Sequence, residues 1–427
     1  MVHIKAFEAI HPPYNRVASV ASPPYDVMNT SEARQLAEGH PDSFLHVIRP
    51  EINLPDGTDP YGNEVYDMAR SQFQRLVTEG ALCRDGSPGI FLYRQVMNGH
   101  SQTGLVCCCR VSDYVNDVIR KHEKTRPDKE DDRTRHLRTV DANTGPVFLT
   151  YRDEAAIQHL STMDSAGRPL FHFKSPDGVT HTGWQVADPA AYITAFESIP
   201  FAYVADGHHR SASAARAARE IADGQSRTEL DGSHESDWFL SVLFPASQLA
   251  ILPYNRVVKT KGKLSGDDAL KILSELGQLE LDADPDTQIP GSFAIYLNKQ
   301  WVRLHLEQDS ISWQDPIASL DVSLLHDRIL EPLLGIKDER TDPNIEFVGG
   351  IRGTSALSKR VDELEDAIGF SLNATTIEQL LDVADAGLCM PPKSTWFEPK
   401  LRSGLFIHAL DSEQISPNSK SEVSAQS

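Results

Sequence analysis

Apolar positions recur along this chain in two rhythms. In residues 62–80, Val65, Ala69, Phe73 and Leu76 repeat at helical spacing between two glycines, which predicts an amphipathic helix. A shorter helix is predicted over 31–37, behind a Thr or Ser cap and before Gly39. The other rhythm belongs to strands. Residues 90–94 and 104–111 flank Asn98-Gly99, a strong hairpin signal, and further strands are predicted at 145–151, 201–205, 238–244, 249–258 and 292–297. An alanine-rich helix over 211–222 follows 201–205 almost directly, and another helix is predicted at 267–276. Pro23-Pro24 ends the apolar stretch 17–27 and imposes an extended or turned backbone.

Strands and helices interleave in this way along most of the chain, so the fold class expected is α/β, or a mixture with α+β regions. The regions expected are an N-terminal α/β part (1–150), a core part (151–262), a C-terminal α+β part (263–410) and a Ser-rich disordered tail (411–427). The polar, glycine-bearing stretch 259–266 is the best internal boundary, and no repeat of fixed period occurs. With 427 residues the chain is long enough for about three domains at ~150 residues each.

Charge narrows the partners. The formal net charge is −20, which repels phosphate backbones and anionic lipid, so neither nucleic acid nor a membrane surface is expected as a partner. No apolar run approaches the ~18 to 20 residues of a membrane span, and the first residues lack the apolar core of a signal peptide. Of the cysteines, Cys107, Cys108 and Cys109 are consecutive within an apolar strand, Cys83 and Cys389 stand apart, and no disulfide or zinc spacing appears. A cytoplasmic protein is expected, and a homo-oligomer is compatible with the sequence.

Chemistry concentrates at Asp206-Gly207-His208-His209-Arg210-Ser211. A strand that ends in a glycine turn and runs into a helix makes an anion site, because the first helical amides have no partner and the dipole favours negative charge. Arg210 can grip phosphate oxygens, Asp206 can hold a metal ion or a hydroxyl proton, and either histidine can orient or protonate a phosphoryl group. The plain alternative is a capped helix with solvent-facing histidines. A second signal is the charged run containing Lys121, His122, Glu123 and Arg126. It could close over a nucleotide, with Lys121 and Arg126 on phosphates and Glu123 as base or magnesium ligand, or be a solvated helix with internal ion pairs. Arg126 occupies the place of the second histidine in a zinc-protease helix, so that motif fails. Tyr25 and Asp26, on the Pro23-Pro24 turn, suit a site wall or merely a turn. The 347–353 stretch reads as a strand entering a glycine turn, and His40, His46 and His181 as isolated structural histidines. No GxxxxGK[ST], GxGxxG or GxSxG motif is present.

The segments 21–27, 43–47, 121–126, 144–150, 206–210, 254–258 and 390–397 resemble a bacterial and archaeal family known as domain of unknown function 1015, almost along the whole chain to about residue 410. The Asp206–Arg210 loop is also similar to the phosphate loop of the ParB/sulfiredoxin-like fold, above all to the Asp-Gly-His-x-Arg form in free serine kinases. That resemblance implies a ParB/sulfiredoxin-like core with additional α+β regions, ATP or ADP as co-substrate, Mg2+, and phosphoryl transfer involving free L-serine or O-phosphoserine. It further implies Asp206, His208, His209 and Glu123 as catalytic residues, with Asp26 as the reserve base. Gly207, Arg210, Ser211, Lys121 and Arg126 would hold nucleotide phosphates, Tyr25 and Asp26 the substrate, and Asp206 the metal. His208 stands where sulfiredoxin needs a cysteine, and the acidic chain lacks the basic DNA-binding region of ParB proteins. A phosphoserine phosphatase, or a nucleotide-binding regulator without catalysis, would use the same loop.

Overall fold

The computed structural model describes residues 1–264 and 266–410; the expected tail at 411–427 lies outside the described residues. The chain is mixed α/β and divides into two compact units. The first comprises Met1–Arg120, Lys124–Gln248 and the segment from Pro399, and the second comprises Lys121–Glu123 and Leu249–Glu398.

The first unit is organised by a mixed sheet, nine-stranded among the described residues. Its strands are β1 (Ile4–Lys5), β2 (Phe91–Met97), β3 (His100–Arg110), β4 (Ile119–Arg120), β5 (Val147–Tyr151), β6 (Phe171–Lys174), β7 (Thr180–Gln185), β8 (Ala202–Asp206) and β9 (Trp238–Pro245). The spatial order is β4-β8-β5-β9-β3-β2-β7-β6, with β1 paired to β3. The β8–β4 and β9–β5 pairs are parallel and the others antiparallel. β2 and β3 form the hairpin expected at Asn98-Gly99, both at positive φ. The Cys107–Cys109 run is fully buried in β3, so its cysteines act as small apolar side chains of a strand covered on both faces.

Helices α1 (Asn63–Thr78), α2 (Pro127–Val140), α3 (Ala155–Ser165), α4 (Pro189–Phe196) and α5 (His208–Gly224) belong to the same unit. α1 buries Val65, Ala69, Phe73 and Leu76 as their spacing predicts. The helix expected at 31–37 spans Thr30–Ala37, and its cap is Asn29, which forms a capping box with Glu32. α2 opens on Pro127, whose missing N–H costs nothing at a helix start, and closes on Asp141 in the left-handed conformation. Most of α2 is charged, yet Thr134, His136, Leu137 and Val140 are buried. α5 presents Ala214, Ala217 and Ala218 to Val147, Leu149 and Val204 of the sheet core. Small side chains allow that close approach.

The second unit holds a sheet that is six-stranded among the described residues and antiparallel throughout, with Tyr254–Lys259 and Ala367–Ser371 adjacent near its middle. The stretch expected as one strand over 249–258 is split into Ala250–Leu252 and Tyr254–Lys259, because Pro253 lacks the N–H a ladder needs. Arg256 and Glu339 form a fully buried ion pair here, Nε to Oε2 3.3 Å.

Candidate functional site

β8 is buried along Ala202–Ala205 and delivers Asp206 at its end. Gly207 then adopts φ 95° and ψ 31°, a left-handed turn that a side chain would strain. A Cβ at this position would meet Val147 Cα at 3.5 Å, an ordinary contact, so the backbone angle rather than crowding calls for glycine. Because this single residue completes the turn, α5 starts at His208, three residues before the start read from the sequence. His208, His209 and Arg210 therefore form the first helical turn, where amides have no intrahelical acceptor and the positive end of the dipole lies.

Ion pairing at the turn is well defined. Lys400 Nζ donates to Asp206 Oδ2 at 2.8 Å, and both side chains are mostly covered. Burial would raise the Asp206 carboxyl, but Lys400 and Arg210 outweigh it and hold the group well below the usual carboxylate range. Arg210 donates from Nη1 to the Pro146 carbonyl at 2.5 Å and has Asp26 Oδ2 3.7 Å from Nη2. Burial opposes its charge, and Asp26 and Asp206 more than restore it. Its Nε is buried and has no hydrogen-bond partner among the described residues.

His209 Nε2 accepts from the Arg126 backbone N–H at 3.1 Å. Burial lowers its pKa, so the ring is neutral near pH 7 and carries its proton on Nδ1. The Arg126 side chain itself pairs with exposed Asp128 at 2.8 Å. Ser211 is fully buried and its Oγ donates to the His208 carbonyl at 3.0 Å, inside the helix. His208 is buried as well. Lys121 and Glu123 belong to the second unit, in which the His122 carbonyl accepts from Met390 N–H at 2.7 Å.

Tyr25 shares this neighbourhood. The Arg133 guanidinium carbon lies 4.2 Å from its ring centroid and that of Arg210 5.9 Å away. Burial, followed by Asp26, pushes the Tyr25 phenol up to about 12 against the opposing pull of both arginines, so it is a donor at neutral pH. Between these groups is a cavity with about 40 Å³ open to water-sized groups, lined by Tyr25, Arg133, His136, Arg210, Ser213 and Ser403 among others. A Cβ at Gly145 would lie 3.1 Å from Ser403 Oγ, so glycine keeps this wall thin.

The geometry thus brings Asp206, Gly207, His209, Arg210, Tyr25 and Asp26 together. Sequence reasoning missed Lys400, Arg133 and Ser403. Arg133 carries a signal: it lies four residues before Leu137 and seven before Val140, on the face that those apolar residues turn inward. Lys400 and Ser403 carry none, since only the tertiary return of the chain places them here. Among the described residues no group of three or more His, Cys, Asp or Glu side chains could hold a metal, and Lys400 occupies the Asp206 oxygen. No described helix is long and apolar enough to cross a membrane.

Comparison with solved structures finds distant similarity. Staphylococcus aureus SbnI with a C-terminal truncation is 9% identical, covering 69% of this chain and 82% of that one with a TM-score of 0.36. A free serine kinase in complex with AMP is 14% identical, covering 66% and 84%, with a TM-score of 0.29. A conserved hypothetical protein from Pyrococcus furiosus is 14% identical, covering 67% and 90%, with a TM-score of 0.30. No curated protein matches the sequence. The family model described as "Protein of unknown function (DUF1015)" matches residues 4–323, most of the chain, and the protein belongs to that family.

Proposed function

We propose that the protein transfers a phosphoryl group between a nucleotide and the hydroxyl of free L-serine, on a ParB/sulfiredoxin-like core built from β8, the Asp206–Gly207 turn and α5. The observation that carries this reading is Arg210. A largely covered guanidinium, whose buried Nε has no hydrogen-bond partner among the described residues, stands at a helix start beside an aspartate kept ionised by Lys400 and Arg210. A phosphate there meets helix amides and a fixed cation together.

In the forward direction the serine oxygen attacks the terminal phosphorus of ATP or ADP. The bond from that phosphorus to the bridging oxygen breaks, and the nucleotide leaves with one phosphate fewer. Gly207, Arg210 and the first amides of α5 hold the phosphates, with Lys121 and Arg126 as further candidates. His208 and His209 act as hydrogen-bond donors to the moving group, which for His209 means its Nδ1–H. Glu123 is proposed as the base that takes the hydroxyl proton, with Asp26 as the other candidate. A magnesium ion enters only as part of the nucleotide complex.

Phosphorus NMR tests this directly. The full chain is incubated with magnesium in one tube with L-serine and ATP or ADP, and in a second tube with O-phosphoserine alone. Phosphoserine signal that requires nucleotide is expected, and Arg210→Ala should lower the rate by about 10²–10³-fold, as for loss of a donor to developing charge. Inorganic phosphate released from phosphoserine without nucleotide would instead identify a phosphatase. No reaction in either tube would rule out serine chemistry. Glu123→Gln and Asp26→Asn, assayed side by side, decide which carboxylate is the base.

A further inference from the structure

The cavity beside the loop is lined by two guanidiniums, each with a carboxylate near it, and by two hydroxyl-bearing side chains that phosphate binding at the turn does not use. Arg133 has its Nε and Nη2 on Asp132, at 2.9 and 2.7 Å, while its guanidinium stacks on Tyr25. Arg210 contributes a second guanidinium, with its buried Nε unpartnered. Ser403 is 4% exposed and lines the same space, and among the described residues neither its hydroxyl nor that of Tyr25 makes a hydrogen bond. Arg210 Nε is a buried donor left open, and two hydroxyl-bearing side chains line the same space, an arrangement that suits a ligand that accepts. Such a ligand is a small anion, since the open volume of about 40 Å³ admits a group of a few heavy atoms.

Charge and shape together choose among anions. His136 donates from Nε2 to the Val47 carbonyl at 2.9 Å, and burial, with Arg133 next, pushes its pKa down to about 4. The ring, which lines the cavity, is therefore neutral and carries its proton on Nε2. A cavity lined by two guanidiniums, two hydroxyl-bearing side chains and one neutral imidazole suits a carboxylate. Resting on the phosphotransferase reading above, we propose that Arg133, Tyr25 and Ser403 form the carboxylate-binding subsite of the acceptor, which restricts the substrate to a small α-amino acid bearing a hydroxyl.

Calorimetric titration of the full chain with L-serine, ethanolamine and inorganic phosphate tests the subsite without requiring turnover. L-Serine should bind, and ethanolamine, which lacks only the carboxylate, should bind at least about 10-fold more weakly. Arg133→Gln should weaken L-serine about 10- to 100-fold and abolish its advantage over ethanolamine. Arg133→Lys should recover only part of it, because an ammonium cannot reproduce the planar fork. Ser403→Ala, which removes a single hydroxyl, should weaken L-serine about 3- to 10-fold and decides the matter should Arg133→Gln fail to fold. Inorganic phosphate should respond to Arg210→Ala and not to Arg133→Gln. The subsite is overturned by a wild-type protein that binds no L-serine, by equal binding of ethanolamine, or by L-serine affinity unchanged in the folded variants. It is also overturned if Arg133→Gln loses phosphate and keeps L-serine, which would make the cavity a phosphate seat. Arg133-dependent serine binding with no phosphoryl transfer would remove the phosphotransferase reading and leave the subsite standing.

Discussion

At the scale of single residues, the Asp206–Lys400 pair is the most informative contact in the first unit. Its partners lie 194 positions apart in sequence, so it ties the returning C-terminal segment to the end of β8. Its side chains are 20% and 27% exposed, so water screens the pair only in part. Removing Asp206 leaves Lys400 without its counter-ion, and removing Lys400 leaves Asp206 with Arg210 as the remaining cation. Asp206→Asn and Lys400→Met should each destabilise the protein by about 1–3 kcal/mol, as expected for a hydrogen bond to a charged group. Because both changes remove the same interaction, the double variant should lose less than the sum. Urea denaturation of the four proteins measures that coupling directly. Strict additivity would mean that the contact contributes nothing to stability, and the low pKa of Asp206 would then have to come from Arg210 and His208.

Among the elements, what was legible in the sequence is what depends on local chemistry. The α1 stripe, the Asn98-Gly99 hairpin and the buried cysteine strand follow from periodicity and turn preference, and all three are present. The Asp206–Arg210 turn was also readable, since strand, glycine and helix stand next to one another. Its start was misjudged by three residues, because the left-handed angle at Gly207 is invisible until the chain is folded. The charged run shows the opposite failure. Its net composition suggested either a nucleotide cover or a solvated helix, whereas α2 turns Arg133 and His136 inward beside Leu137. Lys400 and Ser403 were out of reach for a different reason: long-range returns of the chain leave no local trace. α5 itself is constrained by small side chains, with Ala217 and Ala218 each 1% exposed against the sheet. Ala218→Leu should therefore cost about 1–3 kcal/mol through overpacking. A shift in the urea midpoint with unchanged slope would report it, whereas a variant as stable as wild type would mean that α5 can move off the sheet freely.

For the molecule as a whole, two electrostatic effects compete as pH falls. A chain with net charge −20 repels itself, and protonation relieves that repulsion, which favours the folded state. Buried histidines act in the other direction. Burial and then Arg133 push His136 down to about 4, and burial and then Arg402 push His181 down to about 3, both from an ordinary value near 6.5. Between pH 6.5 and those values the unfolded chain takes up protons that the folded chain refuses, so stability is lost as pH decreases. Each unit of depression corresponds to about 1.4 kcal/mol, so either histidine accounts for a loss on the order of 3 kcal/mol by pH 4. Surface repulsion is distributed and screened by salt, while the histidine penalty is local and unscreened. Wild type should therefore lose stability on acidification from pH 7 toward pH 4 at physiological salt. His136→Gln separates the two effects, because it keeps the net charge at neutral pH and removes one titrating group. At pH 7.5 the variant should be the less stable protein, having lost packing and the bond to the Val47 carbonyl. As pH falls toward 4 the difference should shrink by on the order of 3 kcal/mol, measured by urea denaturation at successive pH values. A difference that stays constant across that range would mean that His136 titrates normally, and that the guanidinium beside it does not control its charge.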